Sequence, residues 1–244
     1  MKVVFVGATR GIGRALARLM AERGDRLFLL GRDPEQLERS AADLLARGAG
    51  SAVGRALLDL ERPEGFASAL AAADRALEGF DTAVITAGIL APQEALEGDA
   101  HALRRLLDVD FTHTVLLCEA LRERLLARRG TLCVLSSVAG DRGRKPVVLY
   151  GAAKAGLSRY LEGLDHRFHD RGLRVVTVKP GFVKTSMTDG LPVPPFAGEP
   201  QQVARDVLRA IDRGRPVVYT PWPWRWVMLI IRLLPRAVMR RVAF

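Results

Sequence analysis

Lys2-Val3-Val4-Phe5-Val6-Gly7-Ala8-Thr9-Arg10-Gly11-Ile12-Gly13 is the stretch on which the fold turns. The apolar run Val3–Val6 meets a loop with glycines at 7, 11 and 13, and a helical pattern begins at Ile12. A buried strand, a tight turn and a helix follow from that order. Glycine lets backbone approach a pyrophosphate, and a helix N-terminus offers N–H groups and the positive end of its dipole. Gly7, Thr9, Arg10, Gly11, Ile12 and Gly13 are therefore candidate cofactor-binding residues. A tight strand-helix turn also calls for glycine, and the surrounding context favours the phosphate reading.

The same alternation continues along the chain. Short apolar runs stand at Leu27–Leu30, Ala52–Leu58, Thr82–Ile85, Leu132–Leu135, Val175–Val178 and Val217–Tyr219. Amphipathic stretches such as Ile12–Arg23, Pro34–Arg47, Ala102–Arg128 and Leu149–Asp170 lie between them. Alternating strands and helices predict an α/β chain, a doubly wound parallel sheet with helices on both faces. Asp33-Pro34 reads as a helix start, with Asp as N-cap and Pro in the first turn. With 244 residues, 49% of them hydrophobic, one large core is expected. The expected division is a domain over residues 1–221 and a hydrophobic, basic C-terminal helix over 222–244.

Tyr150-Gly151-Ala152-Ala153-Lys154 carries the chemistry. Tyr and Lys four apart share a helix face. Ser137, after the run Thr131–Leu135, stands at a strand mouth from which it can face them. A proton donor, a cation that favours its phenolate and a hydrogen-bond donor then surround one carbonyl. A free Tyr, with a pKa of about 10, is a poor acid-base catalyst near neutrality, so the cation is expected to lower it.

Cofactor choice is read at the end of the second strand. An acid often holds the ribose 2′-OH there in NAD-binding folds. Here Gly31 and Arg32 occupy that region, and Arg32 with Arg10 suits a 2′-phosphate, hence NADP(H). A pair of solvated surface arginines is the competing reading. Asp59, with Leu60 after the third strand, could accept from an adenine amino group or cap the helix beginning near Pro63. Cys118 and Cys133 read as buried thiols in a reducing compartment, and neither a disulfide nor a metal framework is expected.

These residues resemble the classical short-chain dehydrogenases/reductases from Lys2 to about Tyr219. The glycine loop, Asp59, Ala87-Gly88, Ser137, Tyr150, Lys154 and Pro180-Gly181-Phe182-Val183-Lys184-Thr185 occur in family order. The resemblance implies a seven-stranded Rossmann sheet and hydride transfer with NAD(P). It makes Tyr150 the proton donor or acceptor and Ser137 a hydrogen bond to the substrate oxygen. Lys154 would lower the Tyr pKa and hold the nicotinamide ribose. Ala87, Gly88, Pro180 and Gly181 join the cofactor site, with Val183 and Thr185 at the carboxamide. Three positions depart from the family. Ile85-Thr86-Ala87-Gly88 replaces Asn-Asn-Ala-Gly, Val6 replaces a Thr, and Asp110 stands where an Asn completes the catalytic tetrad. Asp accepts from the water of the family's proton relay but donates only when protonated.

A narrower resemblance is to the polyprenylphosphoryl-ketopentose reductases, which reduce a 2-keto sugar carried on a lipid phosphate. It rests on the loop Asp141-Arg142-Gly143-Arg144-Lys145, the region Val109-Asp110-Phe111-Thr112 and the tail. The tail pattern is Trp226-Val227-Met228, then Arg232 and Pro235-Arg236.

The formal net charge is +10, and half of it comes from five arginines in Trp222–Phe244, a segment without acids. Its apolar run is far shorter than the roughly 20 residues of a spanning helix. Trp and Arg around a short apolar helix mark an interfacial anchor. Packing against the pocket or a second subunit is the competing use. The expected activity is NADPH-dependent reduction of a ketone on a lipid-linked or amphipathic substrate. A keto-lipid reductase and a non-catalytic cofactor sensor are the alternatives. The expected location is cytoplasmic, at the inner membrane face, as a dimer or tetramer, with no nucleic-acid partner.

Overall fold

Side-chain alternation along the strands sets the layers of the computed structural model, which describes residues 1–49 and 53–242. Ala52, assigned above to the third strand, and Ala243-Phe244 of the tail lie outside those residues. The strands are β1 (Lys2–Val6), β2 (Arg26–Gly31), β3 (Gly54–Leu57), β4 (Thr82–Ile85), β5 (Thr131–Leu135), β6 (Arg174–Pro180) and β7 (Val217–Thr220). They form one seven-stranded sheet in the order β3-β2-β1-β4-β5-β6-β7, parallel throughout.

Neighbouring residues of a strand face opposite sides. Val3 and Phe5 pack under α1 (Gly11–Glu22), α2 (Pro34–Ala46) and α8 (Pro200–Arg213). Val4 and Val6 pack under α3 (Phe66–Leu77), α6 (His113–Leu126) and α7 (Val148–Phe168). Both faces are covered, so the central strands β4 and β5 are buried at every residue. Two further helices, α4 (Gln93–Gly98) and α5 (Ala100–Leu107), precede α6. The tail forms α9 (Pro223–Leu233) and the short α10 (Arg236–Met239). Among the described residues, no helix is long and apolar enough to cross a membrane.

Asp33 caps α2 as expected, accepting from the Gln36 N–H at 3.0 Å. The long helix expected over Ala102–Arg128 is broken. It starts earlier, where Asp99 accepts from His101 N–H at 2.8 Å. A π turn at Asp108–Thr112 then separates α5 from α6. The wider turn disturbs the helical ladder, and the Thr114 hydroxyl donates to the Val109 carbonyl at 2.7 Å. Such turns recur at functional sites, and this one carries Asp110.

Candidate active site

Because every strand is parallel, the loops that leave their C-terminal ends lie along one edge of the sheet. Connections diverge between β1 and β4, and a crevice opens at that switch point. The glycine loop leaves β1 there. Gly7 has φ +92, and a Cβ on it would stand 2.7 Å from the Ala87 backbone nitrogen. A Cβ on Gly13 would run into the Gly7 carbonyl and the Thr86 hydroxyl. Thr86, a family departure, donates its hydroxyl to the Gly7 carbonyl at 3.0 Å and so ties the β4 loop to the glycine loop. Thr185 reaches over from the β6 loop, its Cγ2 3.2 Å from where a Gly11 Cβ would be. This backbone-lined cradle, facing the N-terminus of α1, fits a dinucleotide pyrophosphate. Thr9 and Ile12 are part-buried at its wall, and Arg10 is exposed at the start of α1.

The other cofactor candidates sort unequally. Arg32 is exposed at the end of β2, its guanidinium 3.4 Å from the Glu61 carboxylate. Arg105 of α5, which sequence reasoning missed, holds the same Glu61 at 2.8 Å. That bond keeps the Glu61 carboxyl below its ordinary range. Asp59 accepts from the Glu61 N–H at 3.0 Å. It does not cap the short turn Pro63–Gly65, whose N-cap is Arg62. Leu60 is buried, with its carbonyl 2.5 Å from His113 Nδ1 of α6. Pro180 ends β6, Val183 is buried, and Gly181 abuts the Trp224 indole where a side chain would not fit.

The catalytic candidates converge. Ser137 follows β5, and its hydroxyl accepts from Ala139 N–H at 3.1 Å, capping the turn Val138–Asp141. Gly140 brings that turn onto α7, where a Cβ would be 2.6 Å from the Lys154 carbonyl carbon. Ser137 thereby faces the Tyr150 phenol. Lys154 is buried, with Nζ 5.6 Å from the Tyr150 ring centroid. Lys154 Nζ is also 3.5 Å from Asp110 Oδ1.

Lys154 pulls Tyr150 down, the direction expected of it, but the net ionisation of the phenol runs the other way. Burial raises the phenol, Lys154 and the Ser137 hydrogen bond oppose it, and Asp110 reinforces it, so Tyr150 lies above its ordinary value. Burial is the largest influence on Lys154 and would lower it, but the charge and hydrogen bond of Asp110 together with the Tyr150 oxygen outweigh it and hold the ammonium above its ordinary value. Burial raises Asp110 against the pull of Lys154. The arrangement presents a protonated phenol and a neutral hydroxyl donor to one point beside the cradle.

The tail is part of this architecture. Trp224, Met228 and Ile231 of α9 are buried against Val138 and Phe182. Val138 follows Ser137, and Phe182 precedes Val183. The Trp224 indole donates to the Phe196 carbonyl at 3.0 Å. Arg142 donates to the Leu234 carbonyl at 2.9 Å, so this loop arginine is committed to the tail. The opposite face of α9 is open, with Ile230 63% and Leu233 76% exposed, and Trp222, just before the helix, is 71% exposed.

The chain is similar to known oxidoreductases. A family model described as short chain dehydrogenase matches residues 1–192. An uncharacterised oxidoreductase of Mycobacterium tuberculosis is 37% identical over 98% of this chain and 96% of its own. Carbonyl reductase family member 4 of Xenopus tropicalis is 31% identical, covering 84% and 89%. The fold also matches a variant of actinorhodin polyketide ketoreductase, solved with NADPH, with a TM-score of 0.80 and 22% identity over 89% and 94% of the chains. The chain belongs to the short-chain dehydrogenase/reductase family of NAD(P)-dependent oxidoreductases.

Proposed function

We propose that this oxidoreductase reduces a ketone on an amphipathic or lipid-linked substrate, with NADPH as the preferred cofactor. The observation that carries the reductase reading is the convergence of Ser137, Tyr150 and Lys154 beside the glycine cradle, with burial holding the phenol protonated. A nicotinamide cofactor, when bound, supplies the hydride. Tyr150 gives its proton to the substrate oxygen as negative charge develops there, and Ser137 donates a hydrogen bond to the same oxygen. Lys154 stays charged beside the phenol and compensates the phenolate left after transfer.

Preference for NADPH rests on Arg32 and Arg105, two cations beside one carboxylate where a 2′-phosphate would sit. The substrate class rests on the apolar residues left open around the site. Leu191, Val193 and Phe196 of the loop after β6 are exposed, as is the outer face of α9. A lipid-phosphate ketosugar and a keto-acyl chain both suit such a rim. Arg144 and exposed Lys145 remain for an anionic headgroup, whereas Arg142 is engaged by the tail. In this reading residues 222–244 rest on a membrane surface and the enzyme is a homo-oligomer.

The test is cofactor oxidation with NADPH and NADH against a lipid-phosphate ketosugar, a β-keto-acyl thioester and a small diketone. Turnover of an amphipathic ketone with NADPH at a higher kcat/KM than of the diketone supports the reading. Equal use of NADH removes the cofactor assignment. Turnover restricted to small ketones removes the substrate class.

A further inference from the structure

Asp110 has no exposed surface. Its Oδ1 accepts from the Ile89 N–H at 2.9 Å and lies 3.5 Å from Lys154 Nζ. Its Oδ2 is buried without a hydrogen-bond partner among the described residues. Gly88 makes room for this contact, because a Cβ there would stand 2.8 Å from Oδ1 and 3.4 Å from Nζ. An orphaned buried oxygen costs desolvation. A carboxamide could accept the Ile89 bond equally well, so shape does not account for the charge.

What the charge changes is the ionisable pair opposite it. From α7 these are Lys154 and Tyr150. The turn after β5 contributes the neutral Ser137 hydroxyl. The loop after β4 contributes backbone at Gly88 and Ile89. Within the π turn, Asp108 is paired with Arg104 of α5, 2.9 Å away. At the start of α6, His113 turns its Nδ1 to the Leu60 carbonyl and Thr114 is bonded to the Val109 carbonyl.

We infer that Asp110 is a positioning residue whose buried carboxylate anchors the Lys154 ammonium and opposes its pull on the Tyr150 proton, extending ketone reduction to higher pH. The consequence for rate rests on the reductase reading above, and the charge argument does not. A nearby negative charge disfavours phenolate. Removing it makes the phenol ionise at lower pH. Reduction needs the phenol, so its alkaline limb moves down. Oxidation of the alcohol needs the phenolate, so its acid limb moves down as well.

The experiment compares full-length wild type, Asp110→Asn and Asp110→Glu. In the Asn variant both limbs should fall by about one pH unit, while the Glu variant, which keeps the charge, should hold both limbs near their wild-type pH whatever its maximal rate. Ultraviolet titration of the phenol, taken as the difference from Tyr150→Phe without substrate, should show the same shift. Limbs and titration that stay in place, or move upward, overturn the inference. Should the Asn variant not fold, assigned ¹³C-aspartate NMR of the wild type decides, since a protonated Asp110 across the activity range also overturns it. If no ketone is reduced at all, the reductase reading falls while the phenol titration still tests Asp110.

Discussion

At the scale of the residue, the site is a contest between burial and charge. Tyr150 is raised by its surroundings even with an ammonium on the same helix face, because burial and Asp110 together exceed Lys154. Tyr150→Phe removes the acid and leaves the ring, so kcat should fall by about 10²- to 10⁴-fold. Cofactor affinity, read by fluorescence quenching, should hardly change, and substantial residual turnover would remove Tyr150 as the acid. Arg32 and Glu61 make a second contest. Arg32→Ala should weaken NADPH by roughly tenfold or more, as for loss of a charged hydrogen bond, and leave NADH alone. Glu61→Gln should tighten NADPH by up to about fivefold, the scale of an exposed ion pair. Equal effects on both cofactors in a binding titration would make Arg32 a bystander.

Helix α9 shows how one element can carry two uses at the scale of the fold. Its inner face packs on Val138 and Phe182, the neighbours of Ser137 and Val183. Its outer face is apolar and open. The two faces separate by substitution. Met228 is fully buried, so Met228→Ala should cost about 2–5 kcal/mol of stability and lower kcat by loosening the turn that holds Ser137. Leu233→Ala, on the open face, should stay within about 0.5 kcal/mol and leave kcat unchanged. Thermal denaturation and steady-state kinetics check both. Removal of everything after Thr220 should therefore damage nicotinamide-site geometry as well as any surface binding, and a truncated chain with wild-type kcat would refute the buttress.

On the whole molecule, charge and apolar surface coincide at one end of the chain. Each tail arginine near an anionic leaflet contributes about 1 kcal/mol, and screening limits this within about 8 Å at physiological salt. The full-length protein should sediment with anionic vesicles at low salt and be released as salt rises, with Trp222→Ala/Leu233→Ala weakening that binding. Indifference to anionic vesicles would leave the open face of α9 to another copy of the chain. Cys118 and Cys133 are fully buried, and burial raises both thiols. Thiol reagents should label them only after unfolding, and rapid labelling of the native protein would contradict the packing.

Much of the fold was legible in residue order. Short apolar runs have the length and period of buried strands, glycine at 7, 11 and 13 answers a local backbone demand, and Tyr150 with Lys154 is a helix-face relation. These are local facts, and local facts are written in sequence. The π turn was hidden because its helical period continues on either side, and only packing against the loop after β4 turns Asp110 inward. Arg105 and Glu61 are far apart in the chain, so their meeting with Arg32 depended on how α5 crosses the sheet edge. The direction of the Tyr150 shift was likewise a tertiary outcome. Sequence supplied the cation, but depth of burial and the facing carboxylate, both set by the assembled layers, decided which way the proton leans.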